Sequence, residues 1–417
     1  MKTRDLAQAL DRSRVIVCAG TGGVGKTTIA AALAIQAARR GRRTLVLTID
    51  PARRLADALG LPSVEASPDG TAHSELIPTP IERARYAGAA DSGQGALEVL
   101  MLSPKPTFDR LVTSLTPDAD ARERILQNRI YRHLSEALAG SAEYAAMDQV
   151  HELLASGRYD LIVVDTPPAE HALDFLRAPR RLREFLESRF VHALVRPAMT
   201  ASRFGARFFA RGLHRMMSLL ERIAGVGFLD DLSEFLSAID GLSTGWQERA
   251  RRVEEVLLGS QTGFVLISGA QGDVRGGTLE FLAELDRFHA RLVALVVNRV
   301  RPWPLDEAAS TSLVAWQGSA GIRDEDRIAD ILDGEAGDDA AGEAAGLRQA
   351  LCECAAVRLS AERKLASLDR HAERHRVRCL AVEELPGDVD RMEGLIEIGR
   401  MLLATVDART GRPEAPA

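Results

Sequence analysis

A chain of 417 residues, 46% of them hydrophobic, is long enough to bury a large core, as one big domain with insertions or as two domains. Its net charge of −6 is small and its acids and bases are mixed, which excludes bulk attraction to nucleic acid; affinity for phosphate must come from a local site. Four cysteines, Cys18, Cys352, Cys354 and Cys379, are too few and too unevenly spread for a disulfide framework, and no stretch approaches the ~18 uncharged residues of a membrane span, so a cytoplasmic protein is expected, with a peripheral place at a membrane left open.

Met1 to Arg14 alternates charged and apolar residues and lacks the ~7–15-residue apolar run of a signal peptide. The first strand is expected at Val15 to Ala19 and an Ala-rich helix at Ile29 to Ala38. Between them stands Gly-Thr-Gly-Gly-Val-Gly-Lys-Thr-Thr, Gly20 to Thr28. This is a phosphate-binding loop. Its glycines let backbone N–H groups close around an anion, Lys26 reaches terminal phosphates, and the Thr27 hydroxyl can ligate Mg²⁺ at a helix N-terminus whose dipole favours negative charge. The strand-loop-helix setting separates it from a chance glycine-rich turn.

Five more short apolar runs have the look of buried parallel strands: Thr44 to Ile49, Leu161 to Val164, Phe264 to Ser268, Leu292 to Val297 and Cys379 to Val382. Helical periodicity fills the segments between them. The fold expected is therefore α/β, a doubly wound, mostly parallel sheet with ligands at the carboxyl ends of its strands. Two strand ends carry acids: Asp50, opening Asp50-Pro51-Ala52, and Asp165, opening Asp165-Thr166-Pro167-Pro168. The first can orient a water or bind near Mg²⁺, though a turn-forming Asp-Pro reads the same way. The second follows the Walker B pattern, whose carboxylate holds Mg²⁺ through water. His171 reads as a loop or interface residue rather than a base.

Thr107 to Leu154 and Arg180 to Leu258 exceed what a crossover needs and look wholly helical, so they are expected to form a helical subdomain inserted into the sheet domain. The resulting division runs 1–106, 155–179 and 259–408 for the sheet domain and 107–154 and 180–258 for the insertion. Within the second helical part, Arg203, Arg207, Arg211 and Arg215 recur at every fourth residue beside an apolar face of Phe204, Phe208, Phe209, Leu213, Met216, Met217 and Leu220. Such a helix can bind a membrane surface or hold a hydrophobic helix. It can equally pack on its own domain behind a solvated Arg row. The acidic, Gly-rich stretch 323–346 is expected to contain a mobile loop, Leu347 to Arg378 a long charged helix, and 409–417 a disordered tail. The nucleotide motif does not repeat, so one chain supplies one site.

Taken together, the loop Gly20 to Thr28, Asp50-Pro51-Ala52 and Asp165-Thr166-Pro167-Pro168 resemble the deviant Walker A, switch I and switch II of the ArsA family of P-loop ATPases. That family includes the arsenite-pump ATPase and the targeting factor for tail-anchored membrane proteins. Gly140 to Met147, Val296-Val297-Asn298-Arg299 and Leu385-Pro386-Gly387-Asp388-Val389 resemble further family segments. The resemblance spans nearly the whole chain and is weakest over the helical insertion and Pro302 to Arg378. It implies ATP and Mg²⁺ as cofactors. Gly22, Gly23, Val24, Gly25, Lys26, Thr27 and Thr28 would hold phosphate, with Thr27 on the metal. Asp50 would orient the attacking water, and Lys26 would act beside it in catalysis. Asp165 would bind Mg²⁺ through water, while Asn298, Arg299, Pro386 and Gly387 would contact the base. Asn298-Arg299 lacks the Asn-Lys-x-Asp pattern of guanine readers, which favours ATP.

Three departures qualify the resemblance. Position 21, where the family carries a Lys that crosses the dimer interface to the partner's phosphates, is Thr21. A homodimer would lack that cation, leaving slow hydrolysis, a substitute such as Arg53 or Arg54, or a heterodimer with a related ATPase subunit that supplies the Lys. No Cys lies between Cys18 and Cys352, so thiol capture of arsenite is not expected. Cys352-Glu353-Cys354 is too closely spaced for the family's Cys-x-x-Cys zinc site.

The function expected is an ATP-driven dimeric switch that binds and releases a hydrophobic protein or membrane-associated client, with Phe204, Phe208, Leu213, Met216 and Met217 at the client face. An ATPase subunit energising an anion transporter is the alternative, and a partitioning or positioning ATPase a lesser one.

Overall fold

All six apolar runs form strands, and the structure adds two. In this computed structural model, which describes residues 5–49, 54–61, 78–88, 91, 94–102, 104–116, 118–128, 131, 141–166, 177, 247–271, 277–302, 340–386, 389 and 391–404, the strands in chain order are β1 (Val15–Gly20), β2 (Arg43–Thr48), β3 (Thr79–Ile81), β4 (Ala96–Met101), β5 (Leu161–Asp165), β6 (Thr262–Gly269), β7 (Leu292–Val300) and β8 (Cys379–Glu383). They make one sheet in the order β3-β4-β2-β5-β1-β6-β7-β8. Every pairing is parallel except β3 with β4.

The two strands without a sequence signal have physical reasons to lack one. β4 is interrupted by Glu98, whose carboxylate accepts from Arg158 at 2.7 Å and from the Tyr159 hydroxyl at 2.6 Å. β3 carries Pro80 and lies at the sheet's edge, where a missing N–H need not break an interior ladder.

Alternation along each strand sends side chains to two faces. Val15, Val17, Ala19, Leu45, Leu47, Ile162 and Val164 join one buried cluster. Ile16, Cys18, Val46, Leu161 and Val163 join the other. Helices cover both. The second cluster is closed by α1 (Leu6–Arg12), α2 (Lys26–Arg39), α3 (Arg54–Ala58) and, at the C-terminus, Met392–Leu403. The first is closed by α4 (Pro104–Leu115), α5 (Ala119–Gln127), α6 (Ser141–Ala155), α7 (residues 247–258), α8 (Thr278–Arg287) and α9 (Ala340–His375), which makes the C-terminal helix α10. In α9 the residues Ala361, Leu365, Leu368 and Ala372 meet the sheet's cluster at helical spacing. The fold is thus the doubly wound α/β sheet that the strand pattern implied.

Where described, the stretch 107–154 is helical, as expected, apart from Thr116, Asp118 and Asn128 at helix ends. Its buried residues Leu111, Val112, Ile125, Tyr144, Met147 and Val150 share the cluster of β1 and β5. One expectation needs correcting at its boundary: α9 starts at Ala340, inside the acidic glycine-rich stretch expected to hold a mobile loop. Ala340, Ala341, Ala344 and Ala345 have enough helix propensity to carry Gly342 and Gly346 along. The remainder of that stretch, the tail 409–417 and the basic amphipathic segment with Phe204, Phe208, Leu213, Met216 and Met217 lie outside the described residues. Among the described residues no helix is long and apolar enough to cross a membrane.

Helices α6 and α7 are joined by a charged triad. Arg249 donates to both carboxylate oxygens of Asp148, one of them at 2.8 Å, and also to Glu152. Asp148 is 4% exposed, so its charge depends on that guanidinium. Arg249→Ala should therefore cost about 3–5 kcal/mol, the loss typical of an uncompensated buried charge. Urea denaturation of the two chains checks it.

Candidate functional site

Strand order decides which chain ends meet. β1 is flanked by β5 and β6, and β5 is flanked by β1 and β2, so the carboxyl ends of β2, β5 and β1 lie side by side. The register pairs Cys18 with Asp165 and Thr48 with Asp165. One carboxylate oxygen of Asp165, a residue 1% exposed, accepts from the Thr27 hydroxyl at 2.8 Å and from the Thr48 hydroxyl at 2.9 Å. The acid of the Walker B pattern and the Thr of the phosphate loop, far apart in sequence, are in direct contact.

The loop leaves β1 and closes onto α2. Its crest, Gly22 and Gly23, is exposed, while Val24 and Lys26 are buried and Thr27 and Thr28 half-buried. Gly25 caps the helix with φ +88°, in the left-handed region. A Cβ there would stand 2.4 Å from the Asn298 side-chain nitrogen. Both the backbone and the space require glycine. The Lys26 ammonium donates to the Thr21 carbonyl at 3.0 Å, curling back over the loop that it closes.

Asn298 reaches the loop from β7. Its side-chain amide donates to the Val24 carbonyl at 2.8 Å, and it is 5% exposed. The β7–β8 ladder shifts register between Val297 and Val300, and within the shift Arg299 adopts φ +61° and is exposed. The irregularity turns Asn298 inward and Arg299 outward. Pro386 is exposed beyond β8, while Gly387 and Asp50 lie outside the described residues. Behind the loop, burial pushes the Cys18 thiol well above its ordinary pKa, and the Asp165 charge adds to the effect. The Thr166 hydroxyl donates to the Cys18 carbonyl at 2.8 Å, fixing the chain just past Asp165. Cys18 is a core residue, not a nucleophile.

Thr48 was not anticipated. A Thr near the end of a β-branched run reads as an ordinary strand residue, and only its position two residues before Asp50 hinted at more. The set now fits a phosphate ester and a hard cation. Exposed loop backbone sits at a helix N-terminus, and hydroxyl and carboxylate oxygens converge beneath it. Among the described residues no group of three or more His, Cys, Asp and Glu forms a separate metal site.

The family model described as anion-transporting ATPase, the ArsA type, matches residues 13–72 and 117–319. The chain belongs to this family. The matched span takes in the whole of 180–258, one of the segments in which the sequence resemblance is weakest, and stops short of Leu385-Pro386-Gly387. A Streptomyces coelicolor protein of uncharacterised function is 30% identical over 325 residues, 74% of this chain and 70% of that protein. Proteins named ATPase get3 from Aspergillus terreus and ATPase GET3 from Paracoccidioides lutzii are 26% and 24% identical over 288 and 302 residues, each 69% of this chain and 73% of its relative.

Gly25→Ala should leave the sheet folded but weaken nucleotide binding by at least about tenfold, since the left-handed φ costs ~1–2 kcal/mol before the clash with Asn298 is relieved. Calorimetric titration with ATP, beside a thermal melt, measures both.

Proposed function

We propose that the chain is a Mg-ATP-dependent conformational switch that hydrolyses ATP to bind and release a hydrophobic protein or membrane-associated client. The observation that carries the nucleotide part is the Thr27–Asp165–Thr48 contact directly beneath the loop. Thr27 and Asp165 would hold the metal, Asp165 through water, and Mg²⁺ bound there would neutralise charge developing on the phosphates. The backbone of Gly22 to Thr28 binds and orients the phosphate chain, and Lys26 turns its ammonium from the Thr21 carbonyl towards them. Asp50 accepts a hydrogen bond from the attacking water and aligns it. Asn298, Arg299, Pro386 and Gly387 would contact the base.

The client part rests on the resemblance to the targeting branch of the family and on the pattern of Arg203 to Leu220, whose Phe204, Phe208, Leu213, Met216 and Met217 would face the client. The same reading divides the chain into a sheet domain (1–106, 155–179, 259–408) and a helical insertion (107–154, 180–258), and makes the working unit a dimer. Because Thr21 brings no charge to the opposite subunit, the dimer proposed is a heterodimer with a related ATPase. A cytoplasmic protein that meets membranes only peripherally fits this role. The family's description as anion-transporting favours a second reading, an ATPase subunit that drives a membrane partner.

Purification of the native complex with and without ATP, followed by mass measurement, tests the assembly. A second ATPase subunit is expected with ATP and is lost in Lys26→Ala; a closed homodimer with full turnover would sink the heterodimer. For hydrolysis, the isolated chain should turn ATP over on the order of 10³-fold more slowly than the assembled complex, whose other subunit supplies the trans cation. Asp50→Asn should abolish turnover and keep ATP binding.

A further inference from the structure

Helix α9 buries a lysine. Lys364 is 6% exposed although its helix lies at the surface and neighbours such as Arg363 and Ala366 face solvent. A lysine at the rim of a helix ordinarily extends its ammonium into water, and lysine is rarely buried unless paired. Here the ammonium donates to the Gln271 carbonyl at 3.2 Å. An apolar side chain of similar length would fill the space without desolvating a charge, so packing alone does not account for a lysine.

Gln271 belongs to the turn that follows β6, at the carboxyl end of the sheet. The preceding Ala270 N–H donates to the Asn298 carbonyl at 2.8 Å. Asn298 in turn holds the Val24 carbonyl of the phosphate loop through its side-chain amide. Lys364 is therefore linked to the loop by an unbroken run of contacts: Gln271, Ala270, Asn298, Val24. The same helix makes a second tether. Arg358 donates to the Arg301 carbonyl just beyond β7 at 3.4 Å, and Arg301 pairs with Glu384, two residues before Pro386, at 3.4 Å. The turns after β6 and β7 flank Asn298, and α9 grips both.

We propose that Lys364 is a positioning residue for the base side of the nucleotide site: by fixing the turn after β6 it holds Asn298 against the phosphate loop and so sets affinity for the nucleoside portion of ATP. This rests on the nucleotide reading above. The phosphate portion is held by the loop backbone and Lys26, on which Lys364 acts only through the single Asn298–Val24 hydrogen bond, so its effect is larger for ligands that carry a base.

Titrating the full-length chain with Mg-ATP and with inorganic tripolyphosphate separates the two. Lys364→Met should weaken ATP about tenfold and tripolyphosphate no more than about twofold, with Lys364→Arg recovering most of the ATP affinity. Arg358→Gln, a milder change at a half-buried side chain, should weaken ATP about threefold with the same selectivity, and it serves if Lys364→Met folds poorly by thermal melt. Equal loss for both ligands, or loss of thermal stability with ATP affinity unchanged, would overturn the proposal. Failure of the unaltered chain to bind either ligand would instead defeat the nucleotide reading itself.

Discussion

The site depends on a constraint of parallel sheets: neighbouring strands deliver their carboxyl ends to the same edge. β2, β5 and β1 are adjacent, so Thr48 and Asp165, the last residues of β2 and β5, meet Thr27 at the start of the helix that follows β1 within hydrogen-bond distance. Asp165 is the meeting point. Its carboxylate is buried, and two threonine hydroxyls from different strands or helices donate to it. A charge in that position is tolerable because charge-assisted hydrogen bonds offset part of its desolvation. With two of the three residues at strand ends, the geometry is set largely by the sheet.

The phosphate loop is held from three sides. Gly25 supplies a conformation that other residues resist, Lys26 bonds back to Thr21, and Asn298 reaches across from β7 to the Val24 carbonyl. Beneath the loop, α2 presents Ala30, Ala31, Ala32, Ala34, Ala37 and Ala38 among its buried residues, and small side chains let the helix lie close to the sheet. On its outer side Gln36 of α2 donates to the Ile396 carbonyl of α10 at 3.2 Å, and Gly399 leaves room for that side chain. Loop, helix and C-terminal helix are thus positioned as a unit.

What could be read from the sequence follows the same physics. Strands buried on both faces, such as Val15–Gly20 and Leu161–Asp165, are uninterrupted apolar runs and were legible. β4, interrupted by the half-buried Glu98, and β3, with Pro80 at an edge, were not, because a strand that is not fully buried need not be a continuous apolar run. The loop and Asp165 were legible because their residue types are tied to chemistry. Thr48 and Lys364 were not: a Thr in a strand and a Lys in a charged helix are ordinary, and only tertiary contacts distinguish them. Periodicity could find α9 but not its start, since alanines and glycines push in opposite directions over Ala340 to Gly346.

Position 21 separates two properties that the loop would otherwise carry together. The Lys26 ammonium meets Thr21 through its main-chain carbonyl, which every residue possesses, so replacing a lysine there by threonine leaves the cis architecture of the loop intact. What changes is the side chain, and in the family that the chain resembles this side chain serves the opposite subunit. On the proposed reading, binding in cis would draw on the backbone, Lys26, Thr27 and Asp165. Stabilising charge in the transition state draws on a cation whose value lies in being brought up only when the subunits close, as with an arginine finger. On the proposed reading, a chain with the first set and without the second would hold nucleotide until a partner completes the site, and assembly, rather than the loop itself, would be the step that licenses hydrolysis.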